Sequence, residues 1–439
     1  MRVLIINTSE RIGGAAIAAN RLMEALKKNG IKARMLVRDK QTDQMTVERI
    51  SQSWMLPIKF LWERVCIWLS NGLSKRNIFQ VDIANTGTDV TKMFEFEQAD
   101  VIHLHWVNQG FLSTDDIARI INSGKPVVIT MHDMWYFTGI CHYSAGCQRY
   151  TTGCHHCPLL THGGIGRDLA QQVYNKKQRI YGTTHLAFIG CSNWITQLAR
   201  ASRLTQGHYV ANIPNAINTA TFHPIDKTTA RQRRQLPTDG RRLILFGSQR
   251  ITDPRKGFTY LAQACQTIKA RNPKLAAGIG VVVLGSESEK VRDRLPFTVY
   301  TMKYMSGEQD IMELYNAVDL FVTPSLQDNL PNTIVEAMAC GTPCVGFNVG
   351  GIPEMIDHKE NGYVAQYMNA DDLARGIEWC LDTGHYDNLC TSAHNKALAT
   401  YSEDRVARRY TEVYEMMMEK PTLTPPKEGN PHPEGKNLP

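Results

Sequence analysis

The chain reads as an α/β protein made of two doubly wound parallel sheets. Two observations carry that reading. Short apolar runs recur along the whole length, separated by amphipathic stretches of helical length. Unbroken runs of this kind belong to strands covered on both faces, as in parallel sheets whose crossovers are helices. And 439 residues exceed what one core ordinarily holds, since single hydrophobic cores rarely grow past roughly 250 to 300 residues.

The first set of predicted strands is 3–6, 33–37, 101–105, 127–130 and 186–191. After the first of them comes Arg11-Ile12-Gly13-Gly14-Ala15, ahead of a helix. Glycines let backbone approach a phosphate or sugar closely, and a helix start supplies free N–H donors; a tight turn accounts for the same glycines. Segment 54–73 is apolar and aromatic, but Pro57, Lys59, Glu63 and Arg64 interrupt it, so it is no membrane span. It reads as a packed helix of the first domain or as an amphipathic surface for a lipid-linked acceptor. His103 and His105 alternate around Leu104 and suit buried, satisfied histidines. His132, directly after a strand, points at the end of the sheet where ligands collect.

Cys141, Cys147, Cys154 and Cys157 then fall within seventeen residues, the last two as Cys-x-x-Cys. Four thiols in so short a span meet the ligand count of a structural zinc site, with His142, His155 and His156 in reserve; free thiols and an iron–sulfur cluster are the alternatives. The other seven cysteines are scattered, which argues against a disulfide framework and for a reducing cytosol. The N-terminal apolar run is too short for a signal peptide and reads as a strand.

Residues 212–224 lie between this set of strands and the next, and the domain boundary is expected near 220, dividing 1–219 from 220–400. The second set of strands is 243–246, 281–285, 320–323 and 343–347. Phe246-Gly247-Ser248-Gln249-Arg250 closes the first of these, and Lys256-Gly257 follows. After 320–323 comes Asp328-Asn329-Leu330-Pro331-Asn332, which opens a helix containing Ile334, Val335 and Glu336. Proline fits a helix start, and the dipole and free N–H groups there favour an anion. Asp328 and Glu336 flank that seat, and carboxylates accept hydrogen bonds from sugar hydroxyls. Segment 405–418 has helical periodicity without breakers, and 421–439 is rich in Pro, Gly, Lys and Glu with little to bury, so a disordered tail is expected.

Glu336-Ala337-Met338-Ala339-Cys340-Gly341-Thr342-Pro343 and Gly350-Gly351-Ile352-Pro353-Glu354 resemble the nucleotide-sugar signature of the retaining GT-B glycosyltransferases of family 4, with Asp328 where that family most often has glutamate. The resemblance implies two Rossmann-like domains facing across a cleft, and a terminal helix, here within 401–420, crossing back to the first domain. It implies that Arg250 and Lys256 clasp the donor diphosphate and that His132 and Asp328 contact the sugar. Glu336 would hold the ribose, while Gly13, Gly14 and residues Asn329, Leu330, Pro331, Asn332, Ile334 and Val335 line the donor site. Cationic side chains and a helix dipole would then replace a catalytic metal. The acceptor would be a glycan or lipid-linked glycan of a surface polysaccharide, handled in the cytoplasm or at the inner face of the membrane.

Composition fits this picture. With 43% hydrophobic and 21% charged residues the chain is an ordinary globular protein, neither collagen-like nor disordered. A net charge of +7, clustered at Arg231, Arg233, Arg234, Arg241 and Arg242 and at Arg405, Arg408 and Arg409, reads first as solvated faces and also suits anionic donors or an anionic membrane. Nucleic acid is not expected, because no aromatic-interleaved basic motif or DNA-reading signal accompanies that charge. Two rivals remain open: an epimerase on the same fold, and a zinc-stabilised binding protein that has lost catalysis.

Overall fold

The computed structural model describes residues 1–50, 55–161, 168–303, 305, 307–381 and 384–419. Trp54 and the expected tail 421–439 lie outside the described residues. The first sheet contains β1 (Arg2–Ser9), β2 (Lys32–Asp39), β3 (Val47–Arg49), β4 (Val101–Leu104), β5 (Val127–Met131), β6 (Ala187–Gly190) and β7 (Tyr209–Asn212), in the order β3-β2-β1-β4-β5-β6-β7. The second contains β8 (Arg242–Arg250), β9 (Ile279–Ser286), β10 (Thr298–Met302), β11 (Leu320–Thr323), β12 (Cys344–Phe347) and β13 (Gly362–Ala365), ordered β10-β9-β8-β11-β12-β13. Every pairing between these strands is parallel. The protein is therefore α/β, with two doubly wound Rossmann-like domains in the GT-B arrangement.

All nine predicted strands are present. The four that sequence reading passed over, β3, β7, β10 and β13, are the four edge strands, and β3 is only three residues long. The central strands are buried on both faces: β4, β5, β6, β11 and β12 are buried throughout. β7 is half-buried at every position, so apolar runs gave no signal there.

The crossover helix Glu403–Met418 packs Val406, Ala407, Tyr410, Val413 and Tyr414 into the core of the first domain, against Val3, Ile5, Leu22 and Val101. Helix Met55–Ser70 has its polarity inverted. Ile58, Leu61, Trp62 and Leu69 are at least half exposed, whereas Glu63 and Arg64 are buried. Both polar side chains go inward with partners: Arg64 meets Glu63 at 3.1 Å and Asp82 at 3.3 Å, and backbone groups take part of their remaining hydrogen bonding. Glu63 Oε1 accepts from the N–H groups of Ile83 and Ala84, at 2.9 and 2.6 Å, and Arg64 donates to the carbonyls of Ile78 and Val81. No helix among the described residues is long and apolar enough to cross a membrane.

Candidate active site

Each sheet changes direction of strand order once, between β1 and β4 and between β8 and β11. Ligands of open parallel sheets collect outside the carboxyl ends of strands at such points. The residues singled out by motif stand there. Gly13 and Gly14 follow β1, His105 follows β4 and His132 follows β5; Arg250 ends β8, and Asp328 lies in the loop after β11.

In the second domain, Lys256 Nζ lies 2.9 Å from Asp328 Oδ2. Arg250 instead pairs with Glu287, 2.9 Å away, and also donates to Thr252. Bonds from Lys290, Thr252 and Arg250 hold the Glu287 carboxyl down to about 2. The two cations thus rest on separate carboxylates. Gly350 (φ +59°) and Gly351 pack against the Asp328–Asn329 backbone so closely that a Cβ would lie 1.7 Å from the Asp328 carbonyl oxygen and 2.0 Å from that of Asn329. Only glycine permits this approach, which fixes the loop that carries Asp328.

Glu336 sits on helix Asn332–Ala339, behind Pro331, which supplies no side-chain cap. It is buried. Its Oε1 lies 2.8 Å from Arg21 of the first domain, and its Oε2 accepts from Tyr315 at 3.1 Å. Arg21 also pairs with Glu308 at 2.9 Å and lies over the Phe222 ring. The Asn332 side chain donates to the Gly14 carbonyl at 3.0 Å, joining the glycine loop to that helix start. Asn329 donates to the carbonyls of Met131 and His132 and accepts from Ser192. Leu330, Ile334 and Val335 belong to the core, so any ligand contact there is through backbone.

Sequence reasoning missed Arg21 and Tyr143, and it placed Glu354 in the Gly350–Glu354 motif without giving it a role. Glu354 takes the backbone N–H groups of Asn193 and Trp194, at 2.7 and 2.6 Å, so it closes the interdomain contact at a helix start. Tyr143, from the cysteine segment, stacks on Trp194 and stands close enough to Asp328 for that charge, after burial, to raise its phenol. Arg21 and Tyr143 meet partners distant in sequence, and no local pattern marks them.

His132 Nε2 and His105 Nδ1 are 2.9 Å apart, and His132 Nδ1 is 3.5 Å from the Cys191 sulfur. Behind them, His103 bonds Tyr414 and Thr130, both at 2.7 Å, and Thr130 meets Tyr410. This polar chain joins the cleft to the crossover helix. Burial pushes His103 down to about 3 and His132 down to about 4, and lowers His105 well below the ordinary range. All three are neutral in the folded protein near neutral pH, so the stability gained by burying them uncharged is complete above about pH 6.5, the unfolded value. It is lost as pH falls from there toward 4 and then 3, because the unfolded chain takes up the protons first. His142 acts oppositely: burial would lower it, but Asp133 and Asp82 together hold it above its usual range. Burial also lowers His208, to about 4, so with four histidines against one the melting temperature should fall between pH 6.5 and 5, before most carboxylates titrate. A flat profile across that window, measured by calorimetry, would contradict the buried neutral chain.

Residues 240–383 match the family model described as Glycosyl transferases group 1. An uncharacterized glycosyltransferase of Methanocaldococcus jannaschii is 26% identical over 373 residues, covering 81% of this chain and 94% of that protein. A D-inositol 3-phosphate glycosyltransferase of Thermobispora bispora is 25% identical, with 76% and 74% covered. Among solved structures, Anabaena HepE in complex with UDP-glucose superposes with a TM-score of 0.61 at 16% identity, covering 94% of this chain and 99% of that one. The matched domain marks residues 240–383 as similar to group 1 glycosyl transferases, and the relatives that span most of the chain are themselves glycosyltransferases. The chain carries a group 1 domain in its second half.

Proposed function

We propose that this protein transfers a sugar, with retention of anomeric configuration, from a nucleoside-diphosphate sugar to a glycan or lipid-linked glycan during surface polysaccharide synthesis on the cytoplasmic side of a membrane. The observation that carries the reading is the pairing of Lys256 with Asp328 at the β8–β11 switch point, with Arg250 at the end of β8. A cation that neutralises the leaving diphosphate and a carboxylate that orients sugar hydroxyls are what transfer requires there. A nucleotide-sugar donor accords with the UDP-glucose bound by the Anabaena neighbour.

In this scheme Arg250 and Lys256 exchange their carboxylate partners for the diphosphate and stabilise the charge that builds on it as the glycosidic bond breaks. Asp328 and His132 position the sugar. Glu336 holds the ribose: a carboxylate has about four acceptor sites, and Arg21 and Tyr315 use two of them. The acceptor hydroxyl gives its proton to the departing phosphate oxygen on the same face, so no separate acid–base pair is needed. No catalytic metal enters this scheme.

Incubation with UDP-, GDP- and ADP-sugars and a polyprenyl-linked glycan should release free nucleotide and form a glycoside of the donor's anomeric configuration, read by NMR, at a rate that EDTA leaves largely intact. Epimerised donor would point to the epimerase instead, and binding without turnover to an inactive relative. Prompt loss in EDTA restored by Mg²⁺ would overturn the metal-free scheme.

The outward apolar face of helix Met55–Ser70, with exposed Lys75 and Arg76 beyond its end, suits an anionic lipid surface where such an acceptor resides. Trp62→Glu, at a side chain 55% exposed, should therefore reduce co-sedimentation with anionic vesicles severalfold without altering the melting temperature. Unchanged co-sedimentation would remove the membrane from the reading.

A further inference from the structure

The segment after β5 holds little secondary structure, and its apolar residues Ile140, Leu159 and Leu160 are buried only by packing with Ile67, Val81, Ile83 and Val173 of neighbouring elements. Between Thr138 and Leu160 the one helical turn among the described residues is the 3-10 turn Arg149–Thr151, and the one sheet-like contact is an isolated bridge from Cys141 to Val81. Yet it presses on the cleft. His142 bonds Asp133 at 2.8 Å, and Tyr143 stacks on Trp194. Short irregular segments with little core of their own are commonly held by a disulfide or a metal.

Cys141, Cys147, Cys154 and Cys157 are all unpaired. All four, with His155, line a single cavity of about 20 Å³. Gly146 and His156, each directly before one of these cysteines, have φ of +84° and +42°, so the chain turns tightly into Cys147 and Cys157. The backbone N–H of Gly139 points at the Cys154 sulfur, 3.2 Å away, a bond that favours a thiolate. Lys177, buried beneath, donates to the carbonyls of Thr138 and Gly139, both at 3.1 Å, and so ties down the chain behind the same walls. The cavity has room for one water-sized object, but thiols are weak hydrogen-bonding groups and would satisfy a water poorly. Four soft sulfur donors suit a zinc ion.

We propose that these four cysteines bind one structural zinc ion as thiolates, and that the ion holds Tyr143 and His142 against the cleft. As they stand, no three metal-ligating side chains among the described residues converge on one point. Binding draws the four sulfurs from the cavity wall to about 2.3 Å from the ion. Each thiol gives up its proton on ligation, so one Zn²⁺ displaces four protons. The site stands apart from sugar transfer and survives even if that reading fails.

Elemental analysis of the full chain purified without chelator should give about one zinc per chain, falling severalfold in Cys154→Ser and in Cys157→Ser. Because such variants can misfold, wild-type protein expressed with cobalt supplies a second measurement: tetrahedral thiolate ligation gives strong visible absorption and sulfur-to-metal charge transfer. Zinc near zero, zinc unchanged in both variants, iron in its place, or cobalt protein without charge-transfer bands would each overturn the proposal.

Discussion

Lys256→Ala and Arg250→Ala are each expected to lower turnover by on the order of 10²-fold, the loss typical of removing one preorganised charge-stabilising group. Their folds should survive. The Arg250 side chain is 68% exposed and that of Lys256 35%, and each makes a carboxylate pair at a surface where such pairs contribute little. Melting temperatures should therefore stay near wild type while kcat falls, because the leaving-group charge develops only in the transition state. Glu336→Gln should lose activity similarly but with a lower melting temperature, since it takes from Arg21 a buried partner at 2.8 Å. Steady-state kinetics beside calorimetry separates these cases. Full activity in both cation variants would remove them from the site.

The parts of the site visible in the sequence are those whose chemistry is local. Asp328, Glu336 and the Gly350–Gly351 pair lie within twenty-four residues, and the helix start between the acids can be read from Pro331. Strand interiors were legible for the same reason: burial on both faces leaves an unbroken apolar run, as in β11 and β12. Edge strands lack that run because one side of the sheet ends there. What could not be read depends on partners brought together by folding. Arg21 looks like any basic residue on an amphipathic helix, yet it is 6% exposed and wedged between two carboxylates of the other domain. Helix Met55–Ser70 fails more instructively. Its composition says that apolar residues go inward, but the amides of Ile83 and Ala84 need an acceptor, and Glu63 supplies it from inside. Satisfying buried backbone outweighed the ordinary polarity of the helix.

Arg21→Met should be among the most destabilising single substitutions in this chain. It keeps much of the side-chain volume over Phe222 but leaves Glu336, whose side chain is 7% exposed, charged and without its cation. Removing one partner of a buried ion pair costs about 3–5 kcal/mol, because the stranded charge stays desolvated. Glu308 is 42% exposed and can turn to water, so the penalty falls on Glu336. Two consequences separate this account from a simple packing defect. First, adding Glu336→Gln to Arg21→Met should recover part of the loss, since a neutral amide does not need the guanidinium; the double variant should be more stable than the sum of the singles predicts. Second, the deficit of Arg21→Met should shrink as pH falls, because the stranded carboxyl relieves itself by taking up a proton, whereas lost packing is indifferent to pH. Denaturant melts of the four proteins at neutral and mildly acidic pH measure both. Strict additivity together with a pH-independent deficit would mean that Arg21 serves as packing, and that the contact between the two domains does not depend on its charge.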